Sequence, residues 1–148
     1  NLAWMRLAFA EARSSNSLGL VILTQANPRF ETTWRDGTKR DYFRSVAPTT
    51  SPQPSTPTAF DDYVRALADE LETYGRPVAY LHGDTHIFRV DKPLYSRKTN
   101  RAFQNFTRVE TFGWPDTRWI RITVDPSDPQ LFRFKAEIVP GNTVNGEK

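Results

Sequence analysis

The chain has 148 residues, which is long enough for one domain with a buried core. Its 20 basic and 17 acidic residues give a net charge of +3, which permits an anionic partner without requiring one. Because there is no cysteine, disulfides, thiolate metal sites and cysteine nucleophiles are excluded. No apolar run approaches the roughly 20 residues of a membrane helix, so no membrane partner is expected.

The first half of the chain predicts one helix and one strand. Residues 1–13 have helical periodicity, and residues 18–24 form a continuous apolar run that predicts a strand buried on both faces. The apolar face of the predicted helix consists of Leu2, Met5, Phe9 and Ala12. Since the chain starts within a helix and without Met, we expect it to be the C-terminal part of a larger protein. Residues 45–58 hold four prolines and predict a surface loop.

A second helix is predicted over residues 60–74, followed by a second buried strand over 77–81. Thr58 is expected to cap this helix, with Asp61 at the capping-box position. Gly75 and Pro77 are expected to end it. The apolar stripe of the helix consists of Phe60, Tyr63, Val64, Leu67, Leu71 and Tyr74.

The C-terminal third is typical of consecutive strands, over residues 108–112, 118–124 and 131–138. In the last of these, apolar and charged residues alternate, as in a half-buried strand. Residues 125–129, Asp-Pro-Ser-Asp-Pro, have the composition of a turn. We expect these strands to be antiparallel, and the whole chain to form a single α/β domain, layered around a mixed β-sheet.

Both histidines of the chain fall in the sequence His-Gly-Asp-Thr-His, residues 82–86. On a helix this spacing would put both rings on one face, as in zinc proteases, but a strand precedes it and Gly83 disfavours a helix. The segment instead predicts a tight turn at the carboxyl end of a strand, where α/β proteins bind ligands. Asp84 and His86 could then face one cleft. Alternatively, Asp84 caps backbone amides in an ordinary turn and His86 is a surface residue.

A second polar cluster, Gln25-Ala-Asn27-Pro28, follows the first predicted strand. Amide oxygens can ligate hard metal ions or bind a phosphate through hydrogen bonds. The alternative is an Asx-type turn before Pro28. Since each cluster directly follows a buried strand, both are expected at the same edge of the sheet.

Residues 87–108 form a basic stretch with interleaved aromatic residues. Such a stretch could hold an anionic substrate or a nucleic acid. A solvated basic loop is the favoured interpretation, so nucleic acid is not the expected partner. The six basic residues, against the single acidic Asp91, are Arg89, Lys92, Arg97, Lys98, Arg101 and Arg108. No nucleophile elbow and no Gly-rich phosphate loop occurs, which excludes a serine hydrolase and an NTPase of those types.

The order helix, strand, loop, helix, strand, ending in Gly83-Asp84-Thr85-His86, resembles the C-terminal half of a calcineurin-like metallophosphoesterase. In that family a strand ends in Gly-His-x-His, so Asp84 stands where the first His is expected. Gln25 to Asn27 stands where an earlier His-containing loop is expected. The stretch from Asn105 to Glu110 and the strands after it suit the closing strands of the family's sandwich.

The resemblance implies hydrolysis of a phosphate ester by divalent metal ions (Mn, Fe, Zn or Mg) that activate water and hold the phosphoryl oxygens. Asp84 and His86 would bind metal, and His86 would thereby share in catalysis. His82 would protonate the leaving group or orient the substrate. The residues that would bind substrate are Gln25, Asn27, Arg89 and Lys92.

The family's other metal motifs do not occur in this chain, and two histidines cannot supply a two-metal centre. The chain alone is therefore not expected to be competent, and the missing N-terminal half would carry the remaining ligands. Two alternatives stay open. One is a non-catalytic binding domain of the same fold, which has lost the metals. The other is an unrelated α/β domain that binds nucleic acid.

Overall fold

The computed structural model describes residues 1–30, 60–114 and 118–142, and has a layered α/β fold with a mixed sheet. Within these ranges no helix is long and apolar enough to cross a membrane. The elements in chain order are α1 (Leu2–Ser14), β1 (Leu20–Leu23), α2 (Asp61–Tyr74), β2 (Val78–His82), β3 (Arg89–Asp91), β4 (Phe106–Glu110), β5 (Trp119–Val124), β6 (Phe132–Glu137) and a short 3-10 helix (Pro140–Asn142).

The main sheet has the strand order β1-β2-β4-β3. β1, β2 and β4 run parallel, so their carboxyl ends meet at one edge, and β3 pairs antiparallel with β4. In this register Glu110 lies beside both His82 and Arg89. The loops that follow three strands are therefore brought to a common edge.

The two helices cover one face of this sheet. α1 buries Met5, Phe9 and Ala12, which confirms the predicted face. α2 ends at Gly75, as predicted. The φ of Gly75 is 69°, in the left-handed region that glycine adopts readily. The predicted capping box is wrong, because Phe60 holds the N-cap position and Asp61 is the first helical residue. Thr58 and the Pro-rich segment 45–58 lie outside the described residues.

The antiparallel pair β5-β6 covers the opposite face. Ala79, Leu81 and Val109 form a small buried cluster there. The partly buried residues packed against this cluster are Phe88, Ile120, Ile122, Phe132 and Phe134. The predicted turn between β5 and β6 is confirmed, since the carboxylate of Asp125 accepts hydrogen bonds from the backbone and hydroxyl of Ser127 at 3.0 and 2.6 Å.

The prediction that the first strand is buried on both faces is wrong. Among the described strands β1 pairs with β2 alone, and it lies at the edge of the sheet. Of its four residues only Ile22 is fully buried, whereas Leu23 is 71% exposed. By contrast, all five residues of β2 are buried, which confirms the prediction of a second buried strand.

The predicted antiparallel arrangement of the last three strands holds only for β5 and β6. β4 instead joins the main sheet parallel to β2. The antiparallel partner of β4 is β3, a strand of three residues within the stretch interpreted as a basic loop. A strand this short carries too little alternation to be recognised by its own sequence.

Candidate functional site

Hydrogen bonds tie the loops at the carboxyl edge to one another. Beyond β1 and β2, the amide of Gly83 donates to the carbonyl of Gln25 at 3.0 Å. Beyond β2 and β4, the amide of Thr111 donates to the carbonyl of His82 at 2.8 Å. The parallel pairing thus extends past the strands, and it brings together the two polar clusters, residues 25–28 and 82–86.

The loop formed by residues 83–86, hereafter the GDTH loop, has an unusual backbone. Asp84 has a φ of 88° and His86 a φ of 63°, both in the left-handed region that non-glycine residues rarely adopt. The Asp84 carboxylate accepts a hydrogen bond from the Asn27 amide at 3.3 Å. The Asn27 side chain accepts one from the Arg29 amide at 2.9 Å, which is the Asx-type turn considered from the sequence. Asp84 therefore contacts the other polar cluster directly.

His86 is exposed at the end of the GDTH loop and has a defined ring orientation. Its Nδ1 lies 3.0 Å from the carbonyl oxygen of Trp114. Because a carbonyl only accepts, Nδ1 carries the hydrogen, and the lone pair of the neutral ring is on Nε2. The ring also lies directly on Gly113, where an added Cβ would stand 2.1 Å from the ring Cδ2. Metal-binding histidines commonly use this tautomer and this kind of backbone support.

His82 is fully buried beneath the loop, so the structure does not bring it to a surface where it would meet a substrate. Its Nδ1 lies 2.8 Å from the carbonyl oxygen of Gly83, and so carries the hydrogen. Its Nε2 has no hydrogen-bond partner in the described part of the chain. The ring lies beside the aromatic rings of Phe30 and Tyr80, at centroid distances of 6.4 and 6.2 Å.

Glu110 is a fully buried carboxylate under the same loop. One oxygen accepts hydrogen bonds from the Arg89 guanidinium, at 3.1 Å from Nε and 2.5 Å from the terminal nitrogen. The other accepts one from the Thr85 hydroxyl and lies 4.0 Å from Nδ1 of His82. A buried carboxylate is costly unless it is paired and hydrogen-bonded, and these contacts meet that requirement.

A second ion pair lies two residues further into the sheet. The guanidinium of Arg108, fully buried, donates to both carboxylate oxygens of Asp91 at 2.7 and 2.5 Å. Next to Arg108 on β2, the hydroxyl of Tyr80 accepts a hydrogen bond from the Thr24 hydroxyl at 3.1 Å. Burial raises the pKa of this Tyr80 hydroxyl above its ordinary value, so it stays protonated.

Sequence reasoning missed the roles of Glu110 and Thr85 at this edge, and that of Arg108 further into β4. One signal was present: Arg108 and Glu110 flank Val109 on a predicted strand, so both point to one face. Their partners are 17 and 21 residues away in the chain, and no local pattern identifies them. Only the sheet register brings Glu110 beneath the GDTH loop.

Lys92, expected to bind substrate, lies at the opposite end of β4 from the GDTH loop. Its ammonium donates to the carbonyl oxygens of Gln104 and Phe106 at 2.6 and 3.3 Å, and to the Thr107 hydroxyl at 3.2 Å. Burial lowers the pKa of Lys92. Of the other residues expected to bind substrate, Arg89 is at the edge but paired with Glu110, and Gln25 is exposed at the edge.

The basic stretch 87–108 is largely used within the fold. Arg89 and Arg108 form ion pairs with Glu110 and Asp91, and Lys92 binds backbone carbonyls. Phe103 and Phe106 are buried in the core rather than exposed for base stacking. The exposed basic residues of the stretch are Arg97, Lys98 and Arg101. This surface is much smaller than the one a nucleic-acid-binding interpretation assumed.

The described residues offer an incomplete set of metal ligands. Within residues 1–30, 60–114 and 118–142, no group of three or more His, Cys, Asp or Glu side chains could hold a metal ion. Asp84 and His86 are two donors in one loop, which suits a partial site and not a complete two-metal centre. The described residues could therefore supply some of the ligands of a metal site, but not a complete set.

Comparisons with protein-family models, with curated proteins and with solved structures found no significant match to this chain. A functional interpretation therefore depends on the sequence motif and on the geometry of the carboxyl edge.

Proposed function

We propose that this chain forms one wall of a metal-dependent phosphoester hydrolase site, in which the GDTH loop supplies Asp84 and His86 as ligands. The proposal starts from the resemblance of Gly83-Asp84-Thr85-His86 to the metallophosphoesterase motif. One structural observation supports it: Nδ1 of His86 lies 3.0 Å from the Trp114 carbonyl oxygen, which leaves Nε2 as the ring nitrogen that can bind a metal at the carboxyl edge of the sheet.

The backbone of the loop supports the same proposal. Left-handed φ values at Asp84 and His86 cost free energy, about 1 kcal/mol or more each, and such strain is often retained at ligand sites. Within the described residues the Asp84 carboxylate accepts a hydrogen bond from the Asn27 amide, and a carboxylate has further lone pairs that can bind a cation.

When bound, divalent metals would lower the pKa of a water molecule and neutralise phosphoryl oxygens. In this proposal Asp84 and His86 bind cations, and the remaining ligands lie outside the part of the chain that the structure describes. The role proposed for His82 differs from the one expected from the sequence. Because its ring is fully buried, it supports the loop from beneath through the Gly83 carbonyl.

Hydrolysis of bis(p-nitrophenyl) phosphate by the complete gene product with Mn²⁺ tests this function. We expect Asp84→Ala and His86→Gln to lower the rate about a hundredfold or more, since removal of supporting residues alone often costs 10- to 100-fold. Lys98→Ala is the matched control, because Lys98 is exposed in a turn on the basic stretch.

The absence of Mn²⁺-dependent hydrolysis by the wild-type protein would contradict the proposal, as would full activity of both loop variants. Metal binding without turnover would favour the alternative of a binding domain with the same fold.

A further inference from the structure

Thr85 lies between the two proposed ligands in the sequence, and its hydroxyl is directed towards β4. As a residue it is exposed, yet its hydroxyl donates a hydrogen bond to the buried Glu110 carboxylate on β4. Asp84 and His86, on either side, have their polar groups at the Asn27 amide and the Trp114 carbonyl. The centre of the GDTH loop is therefore fixed to the sheet while its flanks remain at the surface.

Glu110 in turn is held from a third element. Arg89, at the start of β3, donates two hydrogen bonds to the carboxylate oxygen that Thr85 does not use. The Glu110 side chain is fully buried, whereas that of Arg89 is 26% exposed. The loop, β4 and β3 thus converge on one carboxylate, whose orientation is set by charge-assisted hydrogen bonds.

We infer that Thr85 and Glu110 are positioning residues, which hold the GDTH loop so that Asp84 and His86 keep their left-handed backbones and stay available as ligands. This inference rests on the proposed function. Its physical basis is preorganisation: a ligand pair fixed before the metal arrives does not lose conformational entropy on binding. The strained φ values need such support, because the loop would otherwise relax.

Thr85→Val is the decisive variant, because it removes the hydroxyl while nearly conserving the shape of an exposed side chain. Thr85→Ser restores the hydroxyl and should rescue. Thr99→Val is the matched control, an exposed threonine in the turn after β3. A single cooperative thermal unfolding transition would show that each variant keeps its fold.

Two readouts on this chain are needed, Zn²⁺ affinity by calorimetry and ¹⁵N relaxation of the loop amides without metal. We expect Thr85→Val to weaken Zn²⁺ binding about tenfold, as loss of supporting hydrogen bonds does at metal sites. We also expect increased mobility of the Asp84 and His86 amides. Thr85→Ser and Thr99→Val should behave as wild type in both measurements.

Wild-type affinity and unchanged loop relaxation in Thr85→Val would overturn the inference. If the wild-type chain itself does not bind Zn²⁺, the proposed function loses its metal ligands. The relaxation data then still decide whether Thr85 positions the loop, so the two failures are distinguishable.

Discussion

At the scale of single residues, the carboxyl edge combines exposed donors with buried charges. The position of Asp84 and His86 after a strand could be predicted, because the apolar run 77–81 and Gly83 are local signals. The buried charges could not be assigned, because Glu110 and Arg89 meet only through the β3-β4 register. Substitutions at the buried charged residues therefore test contacts that the sequence did not predict.

The Arg108–Asp91 ion pair is expected to be the most stability-sensitive of the polar contacts. Asp91→Ala leaves a fully buried guanidinium without this carboxylate, which should cost about 3–5 kcal/mol of unfolding free energy. Urea denaturation measures it. Arg65→Ala removes an exposed ion pair with Asp62 and should change stability by about 1 kcal/mol or less. Equal effects of the two changes would contradict the burial of Arg108.

Gly113 is expected to be required for the orientation of His86. Gly113→Ala would place a Cβ 2.1 Å from the imidazole Cδ2, so the ring must leave its place against the backbone. The Nδ1 hydrogen bond to Trp114 should then weaken, which ¹⁵N spectra of His86 would report. Since His86 is exposed and can move, global stability should change little. An unaltered His86 spectrum would contradict the close contact.

At the scale of elements, local periodicity predicted those whose burial follows from their own sequence. α1, α2 and β2 are of this kind, since an apolar stripe or a short apolar run marks the buried side. β1 has the apolar composition of a central strand. It lies at the sheet edge, however, and Leu23 is exposed there. Strand order is a tertiary property, so the apolar run alone could not distinguish these cases.

Packing of β5-β6 against the start of β1 is expected to depend on Gly19. An added Cβ would lie 2.4 Å from Leu131 and 2.8 Å from the Pro77 carbonyl oxygen, and the backbone oxygen cannot rotate away. Gly19→Ala should therefore destabilise by about 1–3 kcal/mol in thermal or urea unfolding. Gly141→Ala is the control, with no atom within 4 Å of its added Cβ. A neutral Gly19→Ala would refute this packing.

The turn between β5 and β6 is expected to make stability depend on acid pH. The Ser127 hydroxyl holds the pKa of Asp125 below its ordinary value, and the Gln130 amide does so for Asp128, with help from Arg133 in both cases. A carboxyl with a lower pKa when folded stabilises the protein above about pH 4, its unfolded value, and loses this effect as pH falls through the folded pKa.

Asp125→Asn combined with Asp128→Asn should therefore reduce the loss of unfolding free energy between about pH 6 and about pH 2. Urea denaturation of both proteins at the two pH values measures the difference. An identical acid dependence in the wild type and the double variant would show that these two carboxyls do not contribute.

At the scale of the whole molecule, the layers explain why a ligand site is expected at this edge. Helices cover one face of the sheet and β5-β6 covers the other, so neither face of the central strand β2 is open. The carboxyl edge of β1, β2 and β4 remains, and it carries Asp84 and His86. The layered α/β class was predictable from the order of elements, whereas the parallel insertion of β4 required long-range pairing.

The central claim is that His86 of the GDTH loop binds a divalent cation through Nε2 while Trp114 holds Nδ1–H. Since the chain has two histidines, ¹⁵N spectra of the imidazole rings during a Zn²⁺ titration resolve both residues. The account predicts that zinc shifts the Nε2 signal of His86, leaves its Nδ1 protonated, and leaves both nitrogens of buried His82 essentially unchanged. A His86 spectrum unaffected by zinc, or ligation through Nδ1, would contradict it.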